Sequence, residues 1–375
     1  MQIAFGAWML LVAGTVGGPV LQDGDRIVLV GDTLAERDAS YSWSELATLQ
    51  GSGAKDLIWR NIGWSGDTPA GLSRAYFDPP EVGFQRLVDQ IKACQPTVVV
   101  FAFGMASLLE RVPAEEFLAS YRKLLDAVPS LRVCVILTPI HAGPAHVDPT
   151  AGQRAVLGEA YVEGLKALAA ERNARFVDLW HEKLPQGTLE PNDLHLNSKG
   201  YRWFARHLIE KGFGIEVPSE VVVKEVKDSP FASGFRVMEA MIPGKESLAL
   251  LLADNEHPVM IRVVGLSKGK WELGRWGTGH TATETDWGRG VAWSPTEEDI
   301  VSISGNSLLL IKRKNQLYFE RYRPQNITYL LGFRAYEQGQ NAKEIEALDP
   351  KVAELENEIR QSLDFNRIRW GQRGQ

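Results

Sequence analysis

Ile27-Val-Leu-Val-Gly-Asp-Thr-Leu-Ala-Glu-Arg37 sets the architecture of this chain. Four apolar residues in succession fit a strand buried on both faces, and Gly31-Asp32 breaks the run where such a strand ends. In an open parallel sheet, ligands bind outside the carboxyl ends of the strands, so a turn at that position faces a site. Thr33 therefore has two readings: a hydroxyl presented at an active-site rim, or the N-cap of the helix that follows.

The same unit recurs along the next 150 or so residues, a span typical of one domain. Helix-compatible spacing runs over 41–50, with Ser42 as a candidate N-cap, and again over 84–93, 117–128 and 155–171. Apolar β-rich runs fall at 57–62, 97–103, 132–137 and 174–179. Strands alternating with helices of this length predict an α/β domain: a parallel sheet covered on both faces and joined by right-handed crossovers. The turns at Thr33, Gly63, Gly104 and after Leu179 then gather on one rim. The last of them leads to Asn192-Asp193-Leu194-His195, a histidine in a polar loop before a helix, where it can serve as a base or as a structural side chain.

Length and composition frame this domain. At 375 residues the chain exceeds one ordinary core. Its 41 basic and 47 acidic residues leave a mildly negative charge, which gives no footprint for nucleic acid. Two cysteines, Cys94 and Cys134, supply neither a disulfide framework nor a cysteine metal site. Both read as buried thiols, with a pairing left open. Ile3 to Gly14 is apolar and uncharged, too short for a membrane span and suited to the core of an export signal over 1–18. A periplasmic or extracellular location is the expectation, and an N-terminal strand the alternative. No later run is long enough for an integral membrane segment.

Four blocks in order resemble the SGNH, or GDSL-type, hydrolases. Gly31-Asp32-Thr33-Leu34 is similar to their Gly-Asp-Ser-Leu block, Asn61-Ile-Gly63-Trp-Ser-Gly66-Asp67-Thr68 to their second block, and Gly104-Met105-Ala106-Ser107 stands where Gly-x-Asn-Asp falls. Asn192-Asp193-Leu194-His195-Leu196-Asn197 resembles Asp-x-x-His-x-Asn. The resemblance implies a flavodoxin-like three-layer fold over 25–215 and cleavage of carboxylic esters, O-acetyl groups of carbohydrates among them, with no cofactor and no metal. It assigns the nucleophile to Thr33 and the base to His195, with Asn192 or Asp193 as the orienting residue. The backbone amide at the nucleophile Thr33, that of Gly63 and the position of Ala106 are the oxyanion donors it implies, with Ser107 or Ser65 as substitutes and Asp32 as a neighbouring substrate contact. Three positions are altered: threonine for serine, alanine for asparagine, and asparagine for aspartate three residues before the histidine. The implied centre is either a weakened ester hydrolase or a degraded domain that binds a glycan or a protein.

Beyond Val217 short runs at 220–226, 248–252, 258–264, 270–273, 300–304 and 307–312, separated by turn signals, predict a second, β-rich domain over 220–313. Its Trp271, Trp276, Trp287 and Trp293 either pack in a small core or stack on sugars. His257 and His280 lack metal spacing and read as loop residues. Residues 314–345 resemble the segment that follows the hydrolase domain in exported Planctomycetes-type SGNH proteins. There Arg323 and Asn326 either reach the rim or fix the interface. A charged amphipathic helix over 349–365 either packs by one stripe or docks a partner protein, and 367–375 reads as a frayed end.

Overall fold

In the computed structural model, the residues described are 19–128, 130–142, 151–192, 194–229, 236–242, 244–274, 279–324, 336, 343–363 and 366–372. The expected export signal, Asp193, Trp276 and Asn326 lie outside them.

The apolar runs of the first domain form β1 (Arg26–Gly31), β2 (Ile58–Asn61), β3 (Val98–Ala102), β4 (Val133–Leu137) and β5 (Arg175–Val177). They pair in the order β2-β1-β3-β4-β5, every neighbour parallel. This is the flavodoxin-like order, with the topological switch point between β1 and β3. Alternate residues point to opposite faces. Ile27, Leu29, Val98, Val100 and Leu137 pack beneath α2 (Trp43–Gly51) and α7 (Ser198–His207), while Val28, Val30, Val99, Phe101 and Ile136 pack beneath α3 (Pro80–Ala93), α5 (Ala114–Ala127) and α6 (Ala151–Glu171). Both cysteines are free thiols, Cys94 buried and Cys134 partly so.

The β-rich expectation for the C-terminal half is met in part. Strands β6 (Glu220–Val223), β9 (Val259–Val263) and β12 (Val291–Trp293) form one sheet in the order β12-β9-β6. Strands β7 (Lys227–Asp228), β8 (Val237–Met241), β10 (Lys270–Leu273), β11 (His280–Thr283) and β13 (Arg367–Gln372) form another in the order β11-β10-β13-β8-β7. Three expected strands are helices instead: Gly244–Leu252, Glu297–Ser304 and Ser307–Tyr322. The first is rich in leucine, a good helix former without β-branching. The second is opened by a capping box in which Thr296 and Asp299 satisfy each other's backbone N–H groups. The third buries Leu308, Ile311, Lys314 and Asn315, a helical stripe that continues past residue 313. Residues 367–372 are not frayed, since β13 pairs with β8 on one side and β10 on the other. Trp370 joins Trp271 and Trp287 in the fully buried core, which settles those indoles as packing residues, and Trp293 is buried too.

The C-terminal helices are tied to the first domain. Lys314, fully buried, donates to both carboxylate oxygens of Glu45 at 2.7 and 2.8 Å and to Trp59 O at 3.1 Å. The helix Leu348–Ser362 buries Val352, Leu355 and Ile359, the stripe expected from its spacing.

Candidate active site

The site forms at the carboxyl ends of β1 and β3 because of Asp32. Its Oδ1 accepts from Leu34 N–H at 3.1 Å, so Asp32, not Thr33, caps α1 (Thr33–Tyr41). Its Oδ2 accepts from the N–H groups of Gly104, Met105 and Ala106 at 3.0, 2.9 and 3.2 Å. Burial pushes its pKa up to about 6 against the pull of these four donors. Asp32 is thus a clamp between two strand ends and is 1 % exposed, which removes it as a substrate contact.

With the cap role taken by its neighbour, Thr33 opens the helix with a hydroxyl not used for capping. Gly66 N–H donates to Thr33 Oγ1 at 3.2 Å. Gly66 takes φ +72°, a conformation glycine adopts without strain. Gly63 does not reach this point: its N–H donates to Asn61 Oδ1 at 2.9 Å, and its carbonyl accepts from Tyr322 Oη at 2.6 Å. A side chain at Gly63 would collide with the backbone of Ala35 and Glu36, so this glycine serves the close approach of α1. The amide that faces the Thr33 hydroxyl belongs to Gly66. Ser107 is buried, and Ser65 bonds Glu36 through both its N–H (2.7 Å) and its hydroxyl (2.9 Å), so neither substitutes as an oxyanion donor.

Thr33, Gly66, Ala106 and His195 line one cavity of about 80 Å³, walled otherwise by Leu34, Met105, Leu109, Ile140, Leu194, Leu196 and Tyr201. Ala106 sits where the resemblance implies a polar donor and presents a methyl group. No direct hydrogen bond joins Thr33 to His195.

His195 sits on a tight turn closed by a bridge between Leu189 and Leu196 and by Glu190 N–H donating to His195 O at 2.8 Å. Asn192 Oδ1 accepts from the N–H groups of Leu194 and His195, both at 3.0 Å. Those two donors fix the amide's orientation, so Asn192 Nδ2 is the group 2.9 Å from His195 Nδ1. An amide N–H donates, so Nδ1 accepts and the proton of the neutral ring sits on Nε2. Burial and the Arg37 guanidinium lower the His195 pKa, against an opposing pull from Glu190.

Glu190 carries no signal in the sequence, because its approach depends on the 189–196 turn. Its Oε2 lies 3.9 Å from His195 Nδ1, and its Oε1 is held by Arg37 Nη2 and, at 3.1 Å, by Tyr41 Oη. Arg323 joins the rim as an interface residue. It bonds Glu36 Oε2 at 2.7 Å and lies over the Trp64 ring at 4.1 Å. Among the described residues no cluster of His, Cys, Asp and Glu has metal-binding geometry, and no helix is long and apolar enough to cross a membrane.

A family model described as GDSL-like lipase/acylhydrolase matches residues 27–203. Among solved structures, a gut microbial diltiazem-metabolizing enzyme superposes with TM-score 0.59 at 13 % identity, covering 96 % of this chain and 99 % of that one. That similarity shows a shared fold over most of the chain. Axe2, an acetylxylan esterase from Geobacillus stearothermophilus, aligns with TM-score 0.40 at 20 % identity over 52 % of this chain and 96 % of its own. No curated protein matches the chain.

Proposed function

From the premise that residues 27–203 form a domain of the GDSL-like lipase/acylhydrolase family, we propose that the protein is a slow carboxylic-ester hydrolase acting through Thr33 and His195. The observation that carries this reading is the convergence of the Thr33 hydroxyl, the Gly66 N–H and His195 on one apolar cavity. Thr33 Oγ1 attacks the ester carbonyl and passes its proton to His195 Nε2. Gly66 N–H stabilises the developing oxyanion. The tetrahedral intermediate then expels the alcohol, which takes the proton from Nε2, and water releases the acid by the same path.

A cavity of about 80 Å³ with an apolar wall suits an uncharged acyl group of a few carbons. Acetyl esters, including O-acetylated carbohydrates, are therefore the substrates of the proposal. Two features make the centre slow. The threonine methyl stiffens χ1 and crowds the approach to the carbonyl carbon. The Asn192 amide favours the ring tautomer with Nε2 already protonated, and the same replacement of aspartate in a serine hydrolase lowers turnover by about 10⁴.

That tautomer also favours a second reading, in which the cavity holds an acyl carbonyl without turnover. An export setting belongs to the proposal on the strength of the Ile3–Gly14 run. The test is hydrolysis of aryl acetates and acetylated glycans by purified protein, beside Thr33→Ala and His195→Ala. Slow turnover lost in both variants supports the hydrolase. Binding without turnover supports the second reading, and turnover that survives in both variants refutes the assignment.

A further inference from the structure

Among the described residues, two groups face His195 Nδ1, and they ask opposite things of it. Asn192 Nδ2, at 2.9 Å, is a donor and stabilises the ring with its proton on Nε2. Glu190 Oε2, at 3.9 Å, is an acceptor; its sister oxygen is engaged by Arg37 and Tyr41 while this one is directed at the imidazole. Proton transfer from Thr33 needs an unprotonated Nε2, hence a proton on Nδ1 throughout the reaction. Asn192 opposes that state, because in it two donors confront each other across 2.9 Å. A small ring displacement toward Glu190 instead makes a charge-assisted Nδ1–H hydrogen bond.

We propose that Glu190 is the positioning residue of this centre: it competes with Asn192 for His195 Nδ1 and supports the tautomer that leaves Nε2 free to take the Thr33 proton. This rests on the hydrolase reading for its purpose, though not for its measurement. Arg37 and Tyr41, both from α1, set the strength of the competition by holding the Glu190 carboxylate in place and sharing its charge. Among the described residues, the charged groups acting on His195 are Arg37 from α1 and Glu190 from its own turn. The proposal thus adds Glu190, on the opposite arm of the turn, to Asn192 and Asp193 as a candidate orienting residue, Asp193 lying outside the described residues. On the hydrolase reading, the arrangement supplies a carboxylate near His195 Nδ1 in a chain whose expected aspartate is an asparagine.

The experiment is long-range ¹H–¹⁵N NMR of the His195 ring across pH, on the full chain, with His195→Gln used to assign the signals. The parent should show neutral ring nitrogens with a measurable Nδ1–H population. Glu190→Gln should move the ring toward pure Nε2–H and lower its titration midpoint, with a fall in kcat/KM of about tenfold and little change in KM. Arg37→Met, which releases Glu190, should move tautomer and midpoint the other way. Asn192→Asp should reduce the kinetic penalty of Glu190→Gln, because the new carboxylate does the same task. Ring shifts and pH profile unmoved by Glu190→Gln overturn the proposal. Ring shifts that move as expected in a protein with no esterase activity uphold the positioning contact and sink the hydrolase reading alone.

Discussion

Asn192→Asp should raise esterase activity by about a hundredfold. Asn192 Oδ1 already accepts two backbone N–H groups at 3.0 Å, and an aspartate keeps that anchor. Its second oxygen then replaces Nδ2, 2.9 Å from His195 Nδ1. The substitution exchanges a donor for an acceptor and places a negative charge beside the imidazolium that forms in the transition state. Two unit charges about 4 Å apart at an effective dielectric of about 20 attract by about 4 kcal/mol. His195 is 30 % exposed on its side chain, so solvent screens part of this, leaving about 2–3 kcal/mol. At 1.36 kcal/mol per tenfold, that is a gain of roughly 30- to 150-fold in kcat/KM. The assay is initial-rate hydrolysis of an aryl acetate across pH. The parent profile should rise through a midpoint below the ordinary histidine range, since burial and Arg37 lower the His195 pKa. In Asn192→Asp the midpoint should move upward, because the deprotonated base now carries a partner that favours its charged form. An unchanged or reduced rate in a folded Asn192→Asp variant, with the midpoint unmoved, refutes the reasoning about Nδ1.

Further outcomes follow from the same structure. Thr33→Ser should raise kcat/KM, since it keeps the hydroxyl that meets Gly66 N–H and removes only the β-methyl, as read in the same esterase assay. Lys314→Met should cost about 3–5 kcal/mol in denaturant unfolding because it strands a buried Glu45, whereas adding Glu45→Leu should recover much of that loss. Asp38 is buried with Ser44 Oγ as its partner, and burial raises its pKa from 3.8 to about 7. A folded pKa above the unfolded one means stability present in full below about pH 4 and lost as pH rises through 7. Asp38→Asn should therefore raise Tm at pH 8 relative to the parent, with the difference closing toward pH 4; a parent-like pH slope in the variant counts against it.

The parallel sheet was legible because strands buried on both faces leave an unbroken apolar run, and four of the five are followed by a turn that the residue pattern marks, at Thr33, Gly63, Gly104 and after Leu179. The three misread helices show the limit of that signal. Leu248 to Leu252 is a short apolar run that suits a buried helix as well as a strand, and only its leucine-rich, unbranched composition tips the balance. The Thr296–Asp299 capping box was present in the sequence and would have marked the next helix. At the site, Thr33, His195 and the loss of a polar side chain at Ala106 were readable, since each lies in a block at a strand end. The choice between Gly63 and Gly66 turns on where each N–H points, to Asn61 Oδ1 for Gly63 and to Thr33 Oγ1 for Gly66, a matter of three-dimensional hydrogen bonding. Glu190 was invisible for a related reason: its carboxylate meets His195 only across the 189–196 turn, held there by Arg37 and Tyr41 from a helix more than a hundred residues away in sequence.

The central claim is that Thr33 carries the acyl group. It is tested most directly by mass spectrometry of the protein quenched in acid during turnover of an aryl acetate, with peptide mapping of any adduct. The account predicts an acetyl ester on Thr33 in the parent protein, missing from Thr33→Ala and from His195→Gln, which lacks the base that acylation needs. Hydrolysis that proceeds in Thr33→Ala at the parent rate, or an adduct that maps to another residue, contradicts it.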